Sequence, residues 1–193
     1  MIDEDIPEEW EVGLIVPIFK EEGRRDVIDD YRGTTLLSIV SKIFEKVIMS
    51  SLTVWSNNKG VIEEEQGGFR AGRGCVELIW LLKEIVEGRR EEKKKTYVLF
   101  LDVKKAYDTV WQKGLWKKLK KAGVPRWLVN LLRRWYSKAK ATVSTPWGRT
   151  RIFSLYRGVK QGSVMSPWLY SMFINGLLKK LKHEKLGVVF VGE

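Results

Sequence analysis

The residues that could do chemistry in this chain are one well-placed aspartate and a scatter of cations. Asp102 closes Tyr97-Val-Leu-Phe-Leu101, an aromatic and β-branched run that predicts a buried strand, and the charged Lys104 and Lys105 follow it. A carboxylate at the end of an apolar element needs a partner. Two readings stand: a helix N-cap or ion pair to Lys104 or Lys105, or a ligand for a hard cation such as Mg²⁺, which takes carboxylate oxygens and suits phosphate chemistry. Lys20 and Arg32 each sit at the edge of an apolar stretch, where the stem packs and the charged head reaches out. Arg70 and Arg73 lie in the glycine-rich loop Glu63-Glu-Glu-Gln-Gly-Gly-Phe-Arg-Ala-Gly-Arg-Gly74. Glycines allow close backbone approach and guanidinium groups suit phosphate, but the spacing matches neither a Walker loop nor a dinucleotide fingerprint. A single histidine, His183, and a single cysteine, Cys75, argue against a zinc site or a Ser-His or Cys-His triad. Cys75 reads as a small buried residue.

The elements that must carry these groups can be traced in order. Val12–Lys20 begins as a strand, with Pro17 marking an edge or a strand end. Leu36, Ile39, Val40, Ile43, Phe44, Val47, Ile48 and Leu52 follow helical spacing and are expected in the core. Asn57–Gly60 reads as a turn. A second helix is expected over about 76–89, burying Leu78, Ile79, Leu82, Ile85 and Val86. A third contains Trp111, Leu115, Leu119 and Ala122 and stops at Gly123; a fourth runs from about Pro125 to Ser137. Ala141–Thr145 and Arg149–Tyr156 form a hairpin around Pro146-Trp-Gly148. Ser166-Pro167 opens a helix to about Lys182, burying Leu169, Phe173, Leu177 and Leu181, and Gly187–Val191 begins another strand. Helix pairs mixed with strands and a hairpin predict an α+β fold, and the absence of repeats or Pro/Ser linkers argues for one domain.

Charge is divided along the chain. Residues 1–103 hold 15 Lys+Arg against 21 Asp+Glu, a net −6, whereas residues 104–193 hold 20 against 3, a net +17. The second half has the composition of a polyanion-binding surface, and nine Trp and six Tyr supply rings for stacking, which points to nucleic acid. No apolar run reaches the length of a membrane span, and the acidic N-terminus lacks a targeting pattern. One cysteine fits a reducing compartment, hence an intracellular location, cytoplasm or nucleus.

Taken together, five segments resemble the reverse transcriptase domain of non-LTR (LINE-like) retrotransposons. They are Gly13–Lys20; Tyr31-Arg-Gly-Thr-Thr-Leu-Leu-Ser38 with Ser41-Lys-Ile-Phe-Glu45; Gln66-Gly-Gly-Phe-Arg70; Phe100-Leu-Asp-Val-Lys-Lys-Ala-Tyr-Asp108; and Arg157-Gly-Val-Lys-Gln-Gly-Ser-Val-Met-Ser-Pro167. The resemblance implies the fingers and partial palm of a right-hand polymerase, with residues 1–96 mainly fingers and 97–193 mainly palm. It implies RNA-directed DNA synthesis on an RNA template and DNA primer with deoxynucleotides and Mg²⁺. Asp102 would be a catalytic metal ligand with the Val103 carbonyl beside it. Lys20 and Arg32 would grip the incoming triphosphate, Tyr107 would exclude a ribose 2′-hydroxyl, and Gln161 and Gly162 would position nucleotide and template. Arg70 would touch template phosphate or hold the fingers, Arg73 would bind nucleic acid, and Asp108 would be a structural cap or ion pair. Gly74-Cys75 stands where the family usually has a Ser or Thr pair, which bears on the helix cap.

One departure matters more. The family's next strand turns into a hairpin with an aromatic-Ala-Asp-Asp motif, and these 193 residues contain no aspartate after Asp108, only Glu184 and Glu193. The expectation is therefore a catalytic site incomplete in this chain, whether as a gene fragment, a degenerate copy or half of a split enzyme needing a complementing C-terminal palm and thumb segment. The competing expectation is a non-catalytic RNA-binding or nucleic-acid-binding remnant.

Overall fold

The structure, a computed structural model, describes residues 6–70 and 72–184. Its described part combines a mixed sheet with five α-helices, as the α+β expectation requires. Strand β1 (Val12–Phe19) pairs antiparallel with β2 (Tyr31–Leu36) and parallel with β3 (Lys140–Thr145). β3 folds back onto the two-residue strands β4 (Gly148–Arg149) and β5 (Phe153–Ser154). Pro17 faces Gly33 of β2 and lies beyond Ile15, the last residue paired to β3, so its missing N–H costs no ladder bond on that side.

The helices are α1 (Ile39–Lys59), α2 (Cys75–Glu91), α3 (Gln112–Lys121), α4 (Arg126–Ser137) and α5 (Ser166–His183). Gly60 ends α1 at φ +55°, so the helix runs through the expected Asn57–Lys59 turn. α3 stops where expected, before Gly123 at φ +87°. The core lies in the second half: Leu115 and Leu119 of α3, Leu128, Val129 and Leu132 of α4, and Met165, Leu169 and Met172 pack with Val110, Val159 and Leu52 of α1.

The first half departs from the sequence reading. Tyr97–Leu101 is not a buried strand: it is irregular and exposed, with Leu99 and Phe100 each 80 % accessible. An apolar run becomes a strand only where a neighbour completes its ladder. No strand pairs with it among the described residues, and the other apolar run, at 187–191, lies outside them. α2 forms within two residues of its expected bounds yet buries none of its residues, and Cys75 is exposed. On α1 the buried positions are Ser41, Glu45, Leu52 and Ser56, whereas Ile39, Val40, Ile43 and Val47 of the expected core stripe face outward. Tyr31–Leu36 forms β2, a strand that its residue pattern does not announce. Ser166 does not cap α5; its hydroxyl donates to the Lys160 carbonyl at 2.7 Å. Leu177 and Leu181 are exposed, and Trp168, Met172 and Asn175 are buried on that helix instead.

Candidate functional site

Segments far apart in sequence converge on the loop Lys160–Ser163. The backbone N–H of Thr35 in β2 donates to the Gln161 carbonyl at 2.8 Å, and Gln161 Nε2 donates to Asp108 Oδ1 at 3.1 Å. Just before the loop, the Val159 N–H donates to the Tyr107 carbonyl at 2.8 Å and the Gly158 N–H to the Val110 carbonyl at 2.9 Å. Asp108 therefore accepts from the site loop, a role beyond the expected cap or ion pair. Gly162 has φ +109°, and a Cβ there would come within 2.2 Å of the Thr35 carbonyl oxygen. Only glycine allows β2 and the loop to approach so closely. Gly33, Thr35, Asp108, Tyr156 and Gln161 are among the walls of the resulting cleft of about 560 Å³.

Lys20 and Arg32 share a second cleft, of about 660 Å³, on the β1–β2 hairpin. Arg32 stands opposite Ile18 in the antiparallel register, and Lys20 follows the last residue of β1. Glu21, Glu22 and Asp30 line the same cleft, so its field is mixed. Lys20 Nζ donates to the Asp29 carbonyl at 2.7 Å, while the Asp29 carboxylate pairs with Lys105 at 2.6 Å and Lys104 at 3.5 Å. The Lys105 hydrogen bond and charge, helped by Lys104, hold the Asp29 carboxyl below the ordinary carboxylate range; Asp29 raises the Lys105 ammonium in return. The turn that follows Asp102 is thereby fastened to the hairpin that carries Lys20, and both lysines weighed as Asp102 partners are engaged by Asp29.

Asp102 itself is exposed on the irregular segment. Burial, and then the Asp102 charge, push the Tyr170 hydroxyl upward. Tyr107 lies between Tyr170, with ring centres 5.5 Å apart, and Phe69, at 6.2 Å. Burial and then Tyr170 raise the Tyr107 hydroxyl. Among the described residues no three His, Cys, Asp or Glu side chains group as metal ligands. Asp102 offers one carboxylate and Val103 one carbonyl, a donor set short of what a two-metal centre requires.

Arg70 and Arg73 cross-link their own loop. Arg70 reaches the Glu64 carboxylate at 3.1 Å and the Glu63 carbonyl at 3.2 Å, and Arg73 bonds both the carboxylate and the carbonyl of Glu64. Hydrogen bonds from Arg73 and then Arg70 hold Glu64 below the ordinary carboxylate range. The loop is tied to α5 as well: the Glu63 N–H donates to Asn175 Oδ1 at 2.9 Å, and its carboxylate pairs with Lys182 at 3.3 Å and Lys179 at 3.6 Å. At the cap of α2, Glu77 accepts from the Gly74 N–H at 2.9 Å, which supplies half of a capping box without a side chain at the cap. The partnerships of Asp29 and Asp108 were not legible in sequence, because each joins segments that only the fold brings together.

A family model described as "Reverse transcriptase (RNA-dependent DNA polymerase)" matches residues 18–191. The chain is 31% identical over 167 residues to the "Probable RNA-directed DNA polymerase from transposon X-element" of Drosophila melanogaster, covering 86% of this chain and 18% of that protein. It is 30% identical over 171 residues to the "RNA-directed DNA polymerase from mobile element jockey" of the same fly, covering 89% and 19%. It is 25% identical over 178 residues to the "Retrovirus-related Pol polyprotein from type-1 retrotransposable element R2" of Popillia japonica, covering 92% and 24%. The chain thus spans about a fifth of the length of these curated relatives.

Proposed function

The chain belongs to the reverse transcriptase (RNA-dependent DNA polymerase) family, and from that premise we propose that it serves as the fingers, over about 1–96, and part of the palm, over about 97–193, of a retrotransposon enzyme that copies RNA into DNA. In this reading Lys20 and Arg32 bind the triphosphate of a deoxynucleotide, lysine as a point charge and arginine as a fork. Gln161 and the Gly162 backbone position nucleotide and template, and Tyr107 stands against the sugar. Arg70 and Arg73 shape the loop beside the template, with Glu64 as the competitor that nucleic-acid phosphate has to displace. Asp102 and the Val103 carbonyl contribute to a divalent metal site, Mg²⁺ by preference for hard oxygen donors, whose further carboxylates come from a complementing palm segment. The observation that supports the reading is the convergence of β2, the Asp108 turn and the Gln161 loop on one cleft.

A second reading, nucleic-acid binding without chemistry by these 193 residues alone, is favoured by two observations. Residues 104–193 carry a net +17, and Asp102 is without two acidic neighbours among the described residues. Primer extension on an RNA template separates the two readings. The chain alone is expected to bind without extending, and addition of a C-terminal palm fragment from a relative is expected to restore extension. Extension by the chain alone would overturn the incomplete-site reading; no RNA binding under any salt condition would overturn both.

A further inference from the structure

Glu45 is the anomaly of α1. It is 3 % accessible, on a helix whose apolar residues are largely exposed, and desolvating a carboxylate is costly unless it is hydrogen-bonded. Its Oε2 accepts from the Ser163 hydroxyl at 2.8 Å and from the Val164 N–H at 2.6 Å. The Ser163 oxygen in turn accepts from the Met165 N–H at 3.2 Å. Lys160, also buried, donates from Nζ to the Trp10 carbonyl at 3.2 Å and lies over the Trp135 ring at 5.4 Å. Burial pushes the Glu45 carboxyl up, while Ser163, the Val164 and Met165 amides and the Lys160 charge oppose that rise.

The contacts fall on the C-terminal side of Gln161, beyond the reach of Thr35 and Asp108, where the Ser163 N–H also donates to the Lys160 carbonyl at 3.2 Å. Thr35 holds the Gln161 carbonyl, Asp108 its amide, and Glu45 the two residues beyond Gly162. Gly162, at φ +109°, lies between the first pair of restraints and the third. We propose that Glu45 is a positioning residue: by fixing Ser163 and Val164 it sets the direction in which the Gln161 side chain is presented to the cleft. For the role of Gln161 this rests on the nucleotide-site reading above; for the restraint itself it rests on the hydrogen bonds alone.

Amide hydrogen exchange on the 193-residue chain and titration with a fluorescent deoxynucleoside triphosphate test it together. Glu45→Ala should speed exchange at Thr35, whose N–H bonds Gln161, and at Val164, by roughly tenfold, the size expected for losing a charge-assisted hydrogen bond. Exchange in α3 and α4 should be unchanged. Nucleotide affinity should fall by about the same factor, the double variant with Gln161→Ala should be no weaker than Gln161→Ala alone, and Glu45→Gln, which keeps an acceptor oxygen, should recover most of the loss. If Glu45→Ala does not fold, Ser163→Ala removes one donor of the same contact and is read at the same amides. Unchanged exchange at Thr35 and Val164, general loosening of α3 and α4, or additive losses with Gln161→Ala would each overturn the proposal. Should the wild-type chain bind no nucleotide, the site reading fails while the exchange result still decides whether Glu45 holds the loop.

Discussion

Gln161 Nε2 donates to Asp108 Oδ1 across 3.1 Å, so this amide of the cleft wall is held by an aspartate 53 positions earlier in the chain. Asp108 is exposed, and removing it leaves the core untouched. Asp108→Ala should therefore weaken nucleotide binding by roughly tenfold or more, the worth of one hydrogen bond to a charged group, without shifting thermal unfolding. Asp108→Asn keeps an acceptor oxygen and should behave nearly as wild type. Parallel melts and fluorescent-nucleotide titrations check this; a drop in stability with affinity preserved would show Asp108 to be a fold residue.

Gly162→Ala should be among the most damaging small substitutions in the chain. The added methyl meets the Thr35 carbonyl oxygen at 2.2 Å in a backbone conformation that L-residues rarely adopt. Relief requires separating the loop from β2, at a cost of about 2 kcal/mol or more, measurable as a lower urea midpoint with unchanged slope. A midpoint within error of wild type would mean that the loop moves freely.

Burial lowers the Lys160 ammonium from 10.5 to about 8, despite the opposing charges of Glu45 and Glu11. Below that value the lysine is charged whether the chain is folded or not, and its desolvation costs stability in full. Between about 8 and 10.5 the folded chain releases its proton first, the unfolded chain binds more protons, and stability rises with pH. The contribution is roughly 3 kcal/mol over the window. Urea unfolding from about pH 7.5 to about pH 9.5 should show this rise, and Lys160→Met should flatten it. A wild-type profile parallel to that of Lys160→Met would place the proton elsewhere.

The basic face of α3 should contribute to RNA binding as charge without geometry. Replacing Lys117, Lys120 and Lys121 by Glu should weaken binding at low salt and reduce the slope of log affinity against log salt. Lys118 is left in place because it lies over the Phe173 ring at 4.6 Å and donates to the Phe173 carbonyl, so its loss would mix packing with charge. Asp102→Asn should leave RNA affinity intact. Affinity independent of salt, or lost in Asp102→Asn and kept in the lysine variant, would locate recognition away from this surface.

Legibility in the sequence followed the local character of each signal. α3, α4 and the β3 hairpin were readable because their periodicity and their stops, Gly123, Pro125 and the Pro146–Gly148 turn, are written within a few residues. Burial in the first half was not. Periodicity reports that α1 and α2 have apolar faces, but what covers a face is a tertiary fact; on α1 the covered stripe contains Ser41, Glu45 and Ser56. Tyr97–Leu101 is not a strand for the same reason, since a ladder takes two strands. Lys20, Arg32, Tyr107, Gln161 and Gly162 were nameable from motifs, and the fold puts Gln161 at one cleft and Lys20 and Arg32 at another. The partners of Asp29, Glu45 and Asp108 came into view only with the fold, because an acid in isolation carries no sign of which distant amide or ammonium it will meet.

The exposed run Tyr97–Leu101 also has a colloidal consequence. Five successive β-prone apolar residues without a ladder partner among the described residues are the kind of window that nucleates intermolecular β-stacking. Lys93, Lys94 and Lys95 precede it, and Lys104 and Lys105 follow it after Asp102 and Val103. Flanking cations of this kind are gatekeepers whose repulsion opposes association of neighbouring copies, here reduced by the pairing of Lys94 with Glu92 and of Lys104 and Lys105 with Asp29. That protection is electrostatic and weakens as ionic strength rises, so raising the salt should bring these segments together.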